Sequence, residues 1–251
     1  MDNEAVDWAN FTHAQRESGR SDDVAFYADR AQAADGPTLE LGCGTGRVYL
    51  ELLRAGVDAD GLDLSEEALG VLREHASEAG LEPSVWQGDM TAIAADRAYA
   101  LVTCPFNTIQ QLLTPDDQLA MLASVYDALA PGGAFVFDVF VPDFEFICAT
   151  YGEWQTATVD FRGEPHEYRT RAQVVDQVRQ VVEVEEAVEG PAIEATGGHR
   201  MTLLPRDQVE GLVRLSSFDD WTVTGDFTDE PLADGHRTQV WSLRKPAAPT
   251  E

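Results

Sequence analysis

Between residues 37 and 140 the chain alternates short apolar runs with longer stretches whose apolar residues recur every three or four places. TLELG, DADGLDL, SVWQGD, ALVTCPF and GAFVFDVF have the length and content of strands, while VYLELLRAG, SEEALGVLREHASEAG and DDQLAMLASVYDALA have the period of amphipathic helices. Repeated strand-helix alternation predicts right-handed crossovers and a parallel sheet with helices on both faces. Helix starts are marked by Ser65 before Glu66 and Glu67, and by Thr114 before Pro115, Asp116 and Asp117. Upstream, Val24, Tyr27 and Ala28 give DDVAFYADRAQAADG an apolar face, and Asp35-Gly36-Pro37 stops it. This N-terminal helix is expected to act as a lid over the strand ends.

The rhythm changes after residue 146. WQTATVDF, HEYRTRAQVV and VRQVVEVEEAV alternate with period two, punctuated by Arg162-Gly163-Glu164-Pro165 and Glu189-Gly190-Pro191. An antiparallel β insertion over 146–196 is predicted, serving as a substrate cap or as the surface of a homodimer. The chain then returns over 197–251 with HRMTLL, a helix over RDQVEGLVRLSSF, the strands WTVTGDFT and RTQVWSLR, and a tail, PAAPTE, expected to be disordered. Residues 1–145 form the first and larger unit on this reading.

Chemistry concentrates at Leu39 to Arg47, LELGCGTGR, where a buried strand runs into a glycine loop that opens a helix. Gly42, Gly44 and Gly46 allow tight turning and close backbone approach to a ligand, and the first amides of the helix face the same place. Glu40 stands two residues before the first glycine. The dinucleotide fingerprint G-x-G-x-x-G would need glycine at position 47, which is Arg47. Further acids close the next two strands, Asp63 in GLDLS and Asp89 in QGDM, at the strand ends where α/β folds bind ligands.

ELGCGTG, GLDLS, QGDM, LVTCPFNTIQQLL and LAPGGAFVFDVF, in that order, resemble the motifs of class I S-adenosylmethionine (SAM)-dependent methyltransferases. The resemblance implies a Rossmann-like seven-stranded sheet with one antiparallel strand, SAM as cofactor, and a small molecule as methyl acceptor. It implies that the Gly42–Gly46 loop, including Cys43, lies against the methionine part with Glu40 beneath. Asp63 would accept from the ribose hydroxyls, Leu64 would flank the adenine, and Asp89 and Met90 would meet the adenine edge and face. Phe106 and Asn107 of CPFN would border the methyl group. CPFN is not the N-P-P-Y loop of methyltransferases acting on nucleobase and glutamine amino groups, so the acceptor stays open. Methyl transfer needs little beyond alignment of the acceptor, and no sharp catalytic residue stands out. His199 and Tyr168 are the catalytic candidates, with His166, Arg200 and Tyr27 behind them. Two alternatives are an NAD-dependent oxidoreductase, which Arg47 disfavours, and a catalytically silent SAM-binding protein.

Composition narrows the partners. The chain has 251 residues, and its 44% hydrophobic content suffices for a globular core. Acidic residues number 45 against 17 basic, a net charge of −28, and the only lysine is Lys245. Nucleic acid is thereby disfavoured, since binding it depends on cations that displace counterions. Acids spread along the chain resemble the surfaces of salt-adapted, halophilic proteins, where short-range screening removes self-repulsion. The N-terminus lacks a basic-then-apolar signal, and no apolar run is long enough for a membrane helix, so a cytoplasmic protein is expected. Cys43, Cys104 and Cys148 lack metal-ligand spacing, and no metal is expected.

Overall fold

The structure is a computed structural model that describes residues 3–19 and 22–248. Residues 249–251 of the expected tail lie outside the described residues. Strands β1 (Thr38–Leu41), β2 (Ala59–Asp63), β3 (Ser84–Gln87), β4 (Tyr99–Cys104), β5 (Leu129–Phe140), β10 (Asp220–Gly225) and β11 (Thr238–Arg244) form one sheet in the order β10-β11-β5-β4-β1-β2-β3. β11 runs antiparallel to both its neighbours, and the pairings among β1 to β5 are parallel. The first strand, β1, therefore sits inside the sheet, and the strand order reverses beside it, between β1 and β4. Such a reversal splays the following loops to opposite faces and opens a crevice at the strand ends.

Alternation along each strand divides the core in two. Leu39, Leu41, Val102, Phe135, Phe137 and Trp241 pack under α5 (Pro115–Ala128) and α7 (Arg206–Leu215). Ala59, Leu101, Val136 and Val240 point the other way, under α2 (Asp22–Ala33), α3 (Tyr49–Arg54) and α4 (Glu66–Glu78). Trp241 is fully buried and stacks on Phe137 at 6.2 Å, a contact whose truncation to alanine would cost about 3–5 kcal/mol. Thr114 caps α5 and Ser65 caps α4 through their side-chain oxygens, as their sequence contexts predict.

A second, four-stranded antiparallel sheet consists of β6 (Gln155–Phe161), β7 (Glu164–Asp176), β8 (Val181–Glu189) and β9 (Glu194–Thr202). It follows a short helix, α6 (Phe144–Thr150), after β5. The sheet extends to Thr202, past the expected limit of 196, because His199 to Thr202 pair with β8 rather than beginning the return.

The covering helix is not the one the sequence pattern singled out. α2 turns Tyr27 into the core, where its hydroxyl donates to Asp138 at 2.7 Å. α1 (Asn3–Gly19) instead spans the gap between the two sheets. Its Phe11 packs on Phe161 and Tyr168, and its Trp8 lies so close to Gly197 that a Cβ there would come within 2.4 Å of the indole. At its other side His13 Nδ1 meets Thr45 Oγ1 at 2.8 Å, tying α1 to the glycine loop. α1 escapes a periodicity reading because Trp8, Phe11 and Ala14, spaced by three, drift round the helix among polar neighbours.

Candidate functional site

A cavity of about 310 Å³ opens at the carboxyl ends of β1, β2, β3 and β4. Its floor includes Glu40, Gly42, Cys43, Gly44, Asp63 and Leu64, and its roof includes Trp8, Glu186, His199 and Met201. The floor is held by backbone hydrogen bonds. Gly42 N–H donates to Leu62 O at 2.7 Å, and the left-handed Gly42 (φ +66°) has no room for a side chain, since a Cβ would lie 2.5 Å from Thr108 Cγ2. Gly46 closes the turn against Leu50 and Leu72.

Asp63 uses both carboxylate oxygens. Oδ2 accepts from Gly44 N–H at 2.7 Å and Oδ1 from Ser65 N–H at 2.9 Å, joining the glycine loop to the start of α4. Leu64, 60% exposed, lines the cavity beside it, as do Gly88 and Met90. The Asp89 carboxylate is held locally: Oδ1 accepts from Thr91 N–H at 2.8 Å and Thr91 Oγ1 at 2.7 Å, capping the short turn Met90–Ala92. Asp89 is exposed and is not among the lining residues.

Glu40 is buried beneath the loop, and its Oε2 has no hydrogen-bond partner. Burial pushes its pKa up to about 8, aided by the negative charges of Asp63 and Asp23 and opposed by Arg47. The Cys43 thiol is likewise raised by burial and by Glu40, which keeps it neutral and unreactive. Arg47 forms a bidentate pair with Asp23 at 3.0 and 2.5 Å and places its guanidinium 4.9 Å over the Phe106 ring. The residue that breaks the dinucleotide fingerprint is thus built into the wall of the cavity.

Phe106 and Asn107 both line the cavity and both adopt left-handed backbone, at φ +63° and +59°. Such conformations cost about 1–2 kcal/mol per residue outside glycine. Asp138 offsets this, accepting from Phe106 N–H at 2.8 Å and Asn107 N–H at 3.1 Å, both charge-assisted bonds in a buried setting. Asp138 is a residue that sequence reading passed over. It sits in the apolar run FVFDVF, and a buried acid in such a run is the signal that could have found it.

The sequence candidates from the insertion separate. His199 lines the cavity, and Tyr168 reaches it indirectly by donating its hydroxyl to Glu186 Oε1. Glu186 Oε2 stands 4.0 Å from His199 Nδ1. Glu186 was also missed, although VVEVEEAVE carries it on the parity otherwise filled by Val182, Val184 and Val188. His166 is not at the cavity: its ring joins Glu164 O and Ala192 N–H, at 2.9 and 3.1 Å, across a turn of the insertion. Arg200 pairs with Glu183 on the outer face, and Tyr27 belongs to the core with Asp138. Among the described residues no group of three or more His, Cys, Asp or Glu side chains could hold a metal, and no helix is long and apolar enough to cross a membrane.

Known proteins give this geometry a context. A family model described as a methyltransferase domain matches residues 38–133, the span that builds the cavity floor. The chain is similar to the protein named "Putative methyltransferase YqeM" of Bacillus subtilis, with 28% identity over 80% of this chain and 81% of that one. It is similar in structure to SAM-bound CalS10, an amino pentose methyltransferase from Micromonospora echinaspora, at a TM-score of 0.72, 24% identity, and 94% and 96% coverage. The glycopeptide N-methyltransferase MtfA, solved with SAM, aligns at a TM-score of 0.58 and 26% identity, covering 89% of this chain and 93% of its own. With its sheet order, its G-x-G-x-G loop after β1 and its acid at the end of β2, the chain carries a methyltransferase domain over residues 38–133 and has the fold of the class I SAM-dependent methyltransferases.

Proposed function

We propose that this protein transfers the methyl group of SAM to a nitrogen, oxygen or carbon of a small molecule held between the glycine loop and the insertion sheet. The observation that carries the reading is a single cavity whose floor comes from the strand ends and whose roof comes from α1, β8 and β9. When bound, SAM supplies a methyl carbon activated by a sulfonium. The residues present suit it: the orphaned Glu40 Oε2 offers an acceptor for an ammonium, the Asp63 carboxylate an acceptor for ribose hydroxyls, and Leu64 and Met90 an apolar slot for a flat ring. Gly42 and Gly44 place no side chain in the methionine region, and Phe106 and Asn107, fixed by Asp138, border the acceptor side. α1 and the insertion sheet exclude water from the reacting atoms and orient the acceptor. Asp89 on this reading acts by shaping the turn that presents Gly88 and Met90.

The named acceptors of CalS10 and MtfA, an amino pentose and a glycopeptide nitrogen, support a small or accessible polar acceptor here as well. On the same reading the enzyme works in a salt-rich cytoplasm, with the insertion as acceptor cap and its outer face open to a second copy. Titration calorimetry in molar salt tests the core of the proposal. Micromolar SAM binding is expected, and no heat with SAM alongside clear NAD binding would sink it. In the same protein the melting temperature should fall on dilution, as the Debye length grows from about 3 Å at 1 M to about 30 Å at 0.01 M.

A further inference from the structure

The two faces of the insertion sheet differ in how their charges are met. On the outer face Glu185 is paired by Arg171 and Glu183 by Arg200, at no more than 2.9 Å. The face toward the cavity carries Val182, Val184 and Val188 on β8 and Ala195, Gly197 and Met201 on β9, with Glu186 and His199 among them. Glu186, 15% exposed, is met there by the Tyr168 hydroxyl and, at 4.0 Å, by His199, and among the described residues no arginine pairs with it. A carboxyl group on an apolar face, held by a phenol hydroxyl and an imidazole and facing no guanidinium among the described residues, is open to a cationic partner from the cavity side.

We propose that the methyl acceptor is an amine arriving as an ammonium, and that Glu186 binds that ammonium and takes its proton, with Tyr168 and His199 holding the carboxylate in place. This rests on the methyltransferase reading above and specifies its substrate class. The acceptor RNH₃⁺ gives one proton to Glu186. The freed lone pair then forms the N–CH₃ bond as the S–CH₃ bond breaks. The electron pair of that bond stays on sulfur as a neutral thioether, and the positive charge passes to nitrogen as RNH₂CH₃⁺. His199, 30% exposed at the cavity mouth, lies where the proton on Glu186 can return to water. A chain of net charge −28 also draws cationic rather than anionic acceptors.

The test uses the full chain with S-adenosylhomocysteine bound and matched probes: cyclohexylamine against cyclohexanol, benzylamine against benzyl alcohol, and glucosamine against glucose. Ligand-observed NMR should show at least one amine binding about tenfold or more tighter than its hydroxyl twin. E186Q should remove that preference while leaving S-adenosylhomocysteine affinity and the melting temperature unchanged. E186D, which retains the charge, should keep a preference for the amine. Absence of any amine preference in the wild type, or a preference that survives E186Q, overturns the proposal. Failure of the wild type to bind S-adenosylhomocysteine would strike the methyltransferase reading instead, so the two failures are distinguishable.

Discussion

The floor of the cavity is built by strand ends, each followed at once by the loop that does the work, whereas the roof is built by neighbours across strands and from a distant helix. Glu40, the glycines, Asp63 and Met90 each lie within a few residues of the strand that positions them. Glu186 owes its place to its register opposite Gly197, and Trp8 owes its place to packing on the same glycine. The floor is rigidified by hydrogen bonds of the loop amides, Gly42 N–H to Leu62 O and Gly44 N–H to the Asp63 carboxylate, the roof by side-chain packing of Phe11, Phe161 and Val188. On the proposed function, one half can therefore vary with the acceptor while the other stays fixed to the cofactor.

Replacing residues 146–202 with a short glycine-serine linker separates the halves most completely. Turnover is expected to fall by about a thousandfold or more once the roof no longer aligns the acceptor, with SAM affinity kept within about tenfold, or roughly 1.4 kcal/mol. A cooperative melt of the shortened protein is the control, and full activity on the acceptor would dissolve the distinction between floor and roof. D138N probes the seam between them. Its amide cannot accept from both the Phe106 and Asn107 N–H groups while also receiving the Tyr27 hydroxyl. A loss of about 2–3 kcal/mol in urea unfolding is expected, with turnover reduced more than SAM affinity.

D63A should act on the floor alone. Losing a charge-assisted partner for the ribose and for Gly44 N–H should weaken SAM binding by about 2 kcal/mol, roughly thirtyfold, measured by calorimetry. A matching loss of amine binding by the S-adenosylhomocysteine complex would show that the halves are coupled.

E40Q has the smallest effect and a distinctive pH dependence. The folded protein holds the Glu40 carboxyl at about 8 against an ordinary 4.5, so the fold favours its protonated form. The stability this contributes to the cofactor-free protein is complete below pH 4.5 and is lost as pH rises through 8. Wild type minus E40Q in unfolding free energy should therefore decline between pH 5 and pH 9. SAM binding at pH 7 should release protons in the wild type and not in E40Q, read as a dependence of the binding enthalpy on buffer.

Local order in the chain determined much of this protein. Apolar runs ending in ELGCGTG and GLDLS specify strand, loop and helix in one continuous segment, because each glycine and each cap acts on residues within a turn of itself. The same locality made the floor legible, including Asp63 and the left-handed glycines. Asp89 shows the limit even there, since which way a carboxylate turns was decided by the hydroxyl of Thr91. The tertiary structure alone decided that α1 and not α2 covers the site, that β9 continues to Thr202, and that Tyr27 meets Asp138 across 111 residues. It also decided that Glu186 faces the cavity beside Tyr168 and His199. Strand register and the docking of a weakly patterned helix depend on surfaces that exist only once the chain has closed on itself, and no local period encodes them.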